Sequence, residues 1–142
     1  MPPEYIYFTD RDLGRNIFPG VLREAGFRVE VHDDHFRPDA EDVDWLPEVA
    51  RRGWIVLSND QNILRRPLER EAVRSSGAAV LVLIGGQATA TQLARNFLNT
   101  LPKIEALLDS QAPPLIAKVY RPSPVDLIAA GQPGRIELKL SW

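Results

Sequence analysis

The sequence predicts an α/β domain, a three-layer fold with a mainly parallel central sheet and a C-terminal β-hairpin. Two observations carry that prediction. Short apolar runs with β-branched and aromatic content alternate along the chain with stretches of helical period. Two of those runs, Trp54–Leu57 and Ala79–Ile84, are apolar throughout, as strands covered on both faces are. A length of 142 residues fits one domain with its own core.

The elements follow in order. Glu4–Thr9 reads as the first strand. Asn16–Ala25 reads as a helix, with Ile17, Val21 and Leu22 on one face, Pro19 near its start and Gly26 as its stop. Arg28–His32 is a second strand, and the polar segment Asp33–Glu41, with Pro38 inside it, is a loop. Pro47 lacks an amide proton and fits the first turn of a helix, which sets Asp44 near the N-cap and Gly53 past the end. Trp54–Leu57 is the third strand. A helix from about Pro67 to Ser75 ends before Gly77, and Ala79–Ile84 is the central strand. Thr89–Leu108 forms a long amphipathic helix through Leu93, Phe97, Leu101, Ile104 and Leu108, which Pro102 should bend or interrupt. Leu115–Tyr120 is a further strand. The core thus spans about 4–120, and the tail, about 121–142, reads as a hairpin of Val125–Ala129 and Arg135–Leu140 on the sheet edge. Connections between parallel strands should be right-handed crossovers.

Composition narrows the chemistry. No cysteine is present, which excludes disulfides, thiolate nucleophiles and thiolate-bound zinc. His32 and His35 are the only histidines, too few for a polyhistidine metal site. No run is long enough to span a membrane and no signal peptide is evident, so a cytoplasmic protein is expected. The net charge of −2 argues against a general nucleic-acid coat. Fourteen of the seventeen basic residues are arginine, clustered at Arg51–Arg52 and at Arg65, Arg66, Arg70 and Arg74. A planar guanidinium suits phosphate, although a solvated helix face would show the same bias.

In an open parallel sheet, ligands bind beyond the carboxyl ends of the strands. Asp10 and Asp60 each directly follow a strand, and Asp44 opens a helix at the same edge. Singly, these acids could be a helix cap and two turn formers. Together they would repel one another unless a divalent cation sat among them, and all-oxygen ligation favours Mg²⁺ or Mn²⁺. Such an ion can polarise a phosphoryl group and activate water. Ser58 and Asn59 are placed to support the carboxylates, and Arg11, Arg65 and Arg66 to hold RNA phosphates. Asp33, Asp34, His32 and His35 read as solvated loop residues.

Tyr7-Phe8-Thr9-Asp10, the Asp44-Trp-Leu-Pro-Glu-Val-Ala50 helix, Trp54-Ile-Val-Leu57 and Ser58-Asn-Asp60 resemble the PIN-domain nucleases. Val21-Leu-Arg-Glu-Ala-Gly26 is similar to the compact PIN-like branch. The resemblance covers about residues 4–120, with Ser58 where threonine is usual. It implies a metal-dependent endoribonuclease, often the VapC-type toxin of a toxin–antitoxin pair, restrained by a small antitoxin protein and plausibly homodimeric. By position, Asp10, Asp44 and Asp60 take its acidic roles, as metal ligands and catalytic groups. Many members carry a further acid between the first aspartate and the helix, with no clear counterpart here; Glu24, Asp33 or Asp34 could stand in. Two other readings compete. One is a noncatalytic PIN-like module that binds RNA or protein. The other is a receiver-like signalling domain using Asp10, Asp12 and Asp60, which also needs a lysine beyond the fifth strand, where Lys118 lies inside it.

Overall fold

The computed structural model describes residues 5–142; Glu4, the expected start of the first strand, lies outside them. Six strands form one sheet: β1 (Tyr7–Thr9), β2 (Val29–Val31), β3 (Ile55–Ser58), β4 (Ala79–Ile84), β5 (Leu115–Tyr120) and β6 (Arg135–Ser141). Their spatial order is β2-β1-β3-β4-β5-β6. The first five are parallel, and β6 runs antiparallel to β5.

Period-two alternation divides the sheet into two apolar layers. Tyr7, Ile55, Leu57, Leu81, Leu83, Ala117 and Val119 face α1 (Ile17–Glu24) and α5 (Ala90–Ser110). Phe8, Val56, Val80, Val82 and Ile116 face α3 (Asp42–Arg51) and α4 (Pro67–Ser76). On that second face, Phe8, Trp45, Trp54, Phe36 and the buried ring of His32 form one aromatic cluster. His32, expected at the end of the second strand, instead opens α2 (His32–His35), a single turn that runs into the segment expected to be loop. Its Nδ1 lies 2.9 Å from Asp33 Oδ1, so this histidine is a core residue and not a solvated one.

Three further details differ from the sequence reading. First, α3 begins two residues before Asp44, with Glu41 at the N-cap, so Pro47 sits in the second turn. The bond Pro47 cannot make would go to the carbonyl of Val43, a residue half exposed at the helix surface, where water can satisfy that oxygen. Second, α5 runs through Pro102 without interruption, started by a reciprocal cap between Thr89 and Gln92. Third, Val125–Ala129 is not a strand: α6 (Asp126–Ala129) is a short helix. The expected hairpin forms instead between β5 and β6. Gly134 permits its close return, donating from N to Thr100 Oγ1 and accepting from Lys103 Nζ. A side chain at Gly134 would collide with the Tyr120 carbonyl.

Crossover direction follows from the two layers. From β1 to β2 the chain steps outward over α1, then back past β1 to β3 over α3, and on to β4 over α4. Those three connections share one hand. The step from β4 to β5 continues in the same direction but passes over the α1 face by α5, so its hand is opposite. The expectation of uniformly right-handed crossovers therefore fails at α5. A helix of 21 residues, about 30 Å long, is needed there because the 8-residue α1 cannot cover β4, β5 and β6.

Candidate metal centre

Strand order reverses beside β1, where β2 lies on one side and β3 on the other, so the crevice sits at their carboxyl ends. The same local design delivers an acid from each. After β1 comes Asp10-Arg-Asp-Leu13, and after β3 comes Asp60-Gln-Asn-Ile63. In both, the aspartate caps a short 3-10 turn whose fourth residue is buried and pins the turn to the core. Asp10 Oδ1 accepts from the Arg11 amide at 2.7 Å, and Asp60 Oδ1 from the Asn62 amide at 3.0 Å. The turn-forming role weighed from sequence is thus real, and it coexists with a place in the crevice.

That crevice encloses about 720 Å³ and is lined by Asp10, Asp12, Asp42, Asp60 and Glu69, with Asp39 and Glu41 at its margin. Arg11 and Arg66 also line it. A small pit of about 10 Å³, room for a single water, lies beneath Asp10, Asp42, Ser58 and Asp60, against Trp45. Asp12 ties the two strand ends together. Its Oδ2 accepts from Ser58 Oγ at 3.0 Å and its Oδ1 from the Asn59 amide at 3.1 Å. Ser58 Oγ accepts in turn from the Asp60 amide at 3.0 Å. Ser58 and Asn59 therefore support the acids, Ser58 through its hydroxyl and Asn59 through its backbone.

Burial sets the electrostatics. Asp10, with a side chain 13% exposed, has its pKa pushed up to about 7 by desolvation and by the neighbouring charge of Asp12. Desolvation also raises Asp12 and Asp42, opposed in Asp12 by the Asn59 and Ser58 hydrogen bonds. Asp42 feels Glu69 and Asp60 as further like charges. Two arginines offset part of this. Arg11 Nε lies 3.7 Å from Asp10 and its Nη2 3.9 Å from Asp42, while its Nη1 donates to the Pro38 carbonyl. Arg66 Nη1 donates to Asp60 Oδ2 at 2.8 Å and to Glu69 at 3.0 Å.

The expected triad is only partly brought together. Asp10 and Asp60 line both crevice and pit, but Asp44 is exposed and lines neither. Two residues earlier, Asp42 in the first turn of α3 faces the site in its place, because the helix starts earlier than Pro47 suggested. Arg65 is exposed and outside the crevice lining, whereas Arg11 and Arg66 lie within it. Sequence reasoning missed Asp42 and Glu69, and it credited Asp12 only to the receiver-like reading. The repeated Asp-x-x-apolar motif would have marked Asp12 as lying in a pinned turn. Glu24 is exposed on α1, and neither Asp33 nor Asp34 lines the crevice, whereas Asp12, between Asp10 and α3 in the chain, does.

The donors are all carboxylate oxygens, which suits a hard divalent cation. Among the described residues, no three acidic or imidazole side chains are close enough to share one ion in this arrangement. Arg11 lies against Asp10 and Asp42 in this arrangement, and Arg66 against Asp60 and Glu69.

A family model, the PIN-like domain, matches residues 6–85, which include every acid of the crevice. This chain belongs to the PIN-like family. It is also similar to a protein of Mycobacterium tuberculosis (strain ATCC 25618 / H37Rv) named "Putative ribonuclease VapC45". The two are 33% identical over 101 residues, 68% of this chain and 73% of that protein. No solved structure matches the chain. Membership disposes of the receiver-like reading, whose lysine is also misplaced: Lys118 is paired in register between Val82 of β4 and Glu137 of β6. Among the described residues, no helix is long and apolar enough to cross a membrane.

Proposed function

We infer that this PIN-like domain is a divalent-metal-dependent endoribonuclease, acting in the cytoplasm as the toxin of a toxin–antitoxin pair. The observation that carries this reading is the crevice at the strand-order reversal. There Asp10, Asp12, Asp42 and Asp60, from three separate segments, face one space, and burial opposes the ionisation of Asp10, Asp12 and Asp42. Buried like charges without a function would be costly, and a site built to receive a cation explains their retention. Similarity to a protein named as a ribonuclease supports RNA as the substrate.

Asp10, Asp12, Asp42 and Asp60 would hold Mg²⁺ or Mn²⁺, with Glu69 at the rim. When bound, the ion supplies a Lewis acid for the phosphoryl oxygens and lowers the pKa of attacking water. The chain's own residues do the rest. Ser58 and Asn59 fix the orientation of Asp12, keeping a carboxylate aimed across the gap between β1 and β3. Arg66, once freed from Asp60 and Glu69, is placed to hold the scissile phosphate, and Arg11 can do so from the opposite wall. Asp10, pushed toward its neutral form by burial beside Asp12, would be held as a carboxylate by the ion it ligates. Arg65, outside the crevice, would contact phosphate only beyond the reacting group. An antitoxin protein and a homodimeric state complete the reading.

The test is cleavage of a structured RNA by wild type, Asp12→Asn and Asp60→Asn with added Mn²⁺. Manganese-dependent cleavage by wild type alone is expected. Equal cleavage by all three proteins would show a contaminating nuclease. Metal-independent RNA binding without cleavage would favour the noncatalytic module, a reading that the arginine pairing of the acids also suits.

A further inference from the structure

The acidic crevice poses a problem for a polyanionic substrate. Seven acids line or edge it, against Arg11 and Arg66. Even with a bound cation, RNA needs cationic surface next to the site, and the adjoining basic stripe lies on α4. Arg66 stands at the N-cap of that helix, with Arg70 and Arg74 at successive spacings of four, so all three share one side of it. Each step advances about 6 Å along the axis. The stripe starts inside the crevice and ends in a separate groove between α4 and β6. That groove, of about 290 Å³, is lined by Pro67, Arg70, Glu71, Arg74, Leu140 and Trp142.

The charges along the stripe are not equally occupied. Arg66 is paired with Asp60 and Glu69, and Arg74 with Glu71. Among the described residues Arg70 has no acidic partner, although it is half buried, and it lines the same groove as Trp142. Trp142 is 49% exposed and has no aromatic or cation–π partner among the described residues. An unpaired guanidinium in one groove with a half-open indole is the pairing that single-stranded nucleic acid uses, a phosphate on the cation and a base on the ring.

We propose that the α4–β6 groove is the binding track for single-stranded RNA leaving the crevice, with Arg70 holding a backbone phosphate and Trp142 stacking a base. Arg74, released from Glu71, would hold the next phosphate. This rests on the ribonuclease reading and adds to it a subsite outside the crevice, open to an unpaired strand whose bases are free to stack on Trp142.

The experiment measures binding of a short fluorescein-labelled single-stranded RNA in EDTA, where cleavage is halted. The proteins are wild type, the single variants Arg70→Gln and Trp142→Ala, their double variant Arg70→Gln/Trp142→Ala, and the conservative variants Arg70→Lys and Trp142→Phe. The double variant should weaken binding at least about tenfold, as expected for losing one phosphate contact and one stacked base. Arg70→Gln alone should reduce the dependence of log affinity on log salt by about 0.7. Both conservative variants should stay near wild type, and the thermal shift on adding Mn²⁺ should be the same in all. Unchanged RNA affinity in the double variant, or no RNA binding by wild type, overturns the proposal. So does a wild-type dimer that dissociates with Trp142→Ala while RNA affinity holds, which would make the groove a contact between copies. Binding through the groove without Mn²⁺-dependent cleavage would remove the nuclease reading and leave the track. Cleavage with unchanged affinity in the double variant would do the reverse.

Discussion

The two halves of this chain are built to different ends. Up to β3 and its turn, strands are three or four residues long, and the carboxylates of Asp10, Asp12 and Asp42 are drawn out of water. From β4 onward strands have six or seven residues, a 21-residue helix carries a reciprocal cap, and Phe97 and Ile104 are fully buried. The first region holds its acids against their mutual repulsion, and the second supplies apolar contact that makes such strain tolerable. Stability and chemistry are therefore separable here, and substitutions should divide accordingly.

The sharpest division is expected at the acids. Asp60→Asn and Asp12→Asn should each lower RNA cleavage at least about a hundredfold, as loss of a metal ligand or its support does, while leaving the melting temperature in the presence of chelator equal or higher. Steady-state cleavage paired with thermal melts checks both halves of that statement. The reverse should hold for Phe97→Ala in α5, which packs edge-on against Tyr7 at 5.1 Å. It should cost about 3–5 kcal/mol of stability in urea unfolding, with the cleavage rate of the remaining folded protein unchanged at low temperature.

A smaller effect concerns pH. Asp10, Asp12 and Asp42 have folded pKa values above their unfolded ones, with Asp10 near 7. The folded protein thus binds more protons than the unfolded chain between about pH 4 and pH 7. In chelator, stability should be greatest below about pH 4 as far as these groups decide it, and should decline as pH rises to about 7. Added Mn²⁺ should flatten that decline, because protons and cation compete for the same oxygens. A pH series of urea midpoints with and without metal measures this; stability in chelator that rises across the same window would contradict it.

Much of this architecture was legible in the sequence because physical signals agreed. Apolar runs, glycine stops and helical period all pointed to the same elements, and strand ends placed Asp10 and Asp60 without knowledge of the crevice. Three failures have distinct causes. Pro47 was read as a first-turn residue, which moved the start of α3 and chose Asp44 over Asp42; Val43, whose carbonyl loses its partner, is half exposed, and that makes a second-turn proline tolerable. Val125–Ala129 has strand-like composition, but the segment closes onto α5 as a single helical turn, and Asn99 Nδ2 donates to the Ile128 carbonyl. Glu69 gave no signal, since a glutamate in the first turn of a helix is expected on dipole grounds alone. The reversed hand of the α5 crossover depends on which face each helix covers, a tertiary choice that one helix's pattern does not specify.

The smallest expected effect is at Asp44, an exposed first-turn acid whose replacement by asparagine should cost no more than about 1 kcal/mol in urea unfolding. Comparing it with Asp42 tests the metal centre most directly. Calorimetric titration of Mn²⁺ into wild type, Asp42→Asn and Asp44→Asn should give binding of equal strength in wild type and Asp44→Asn, with a loss of at least about tenfold in Asp42→Asn. Equal losses in both variants, or no heat of Mn²⁺ binding in wild type, would contradict the account.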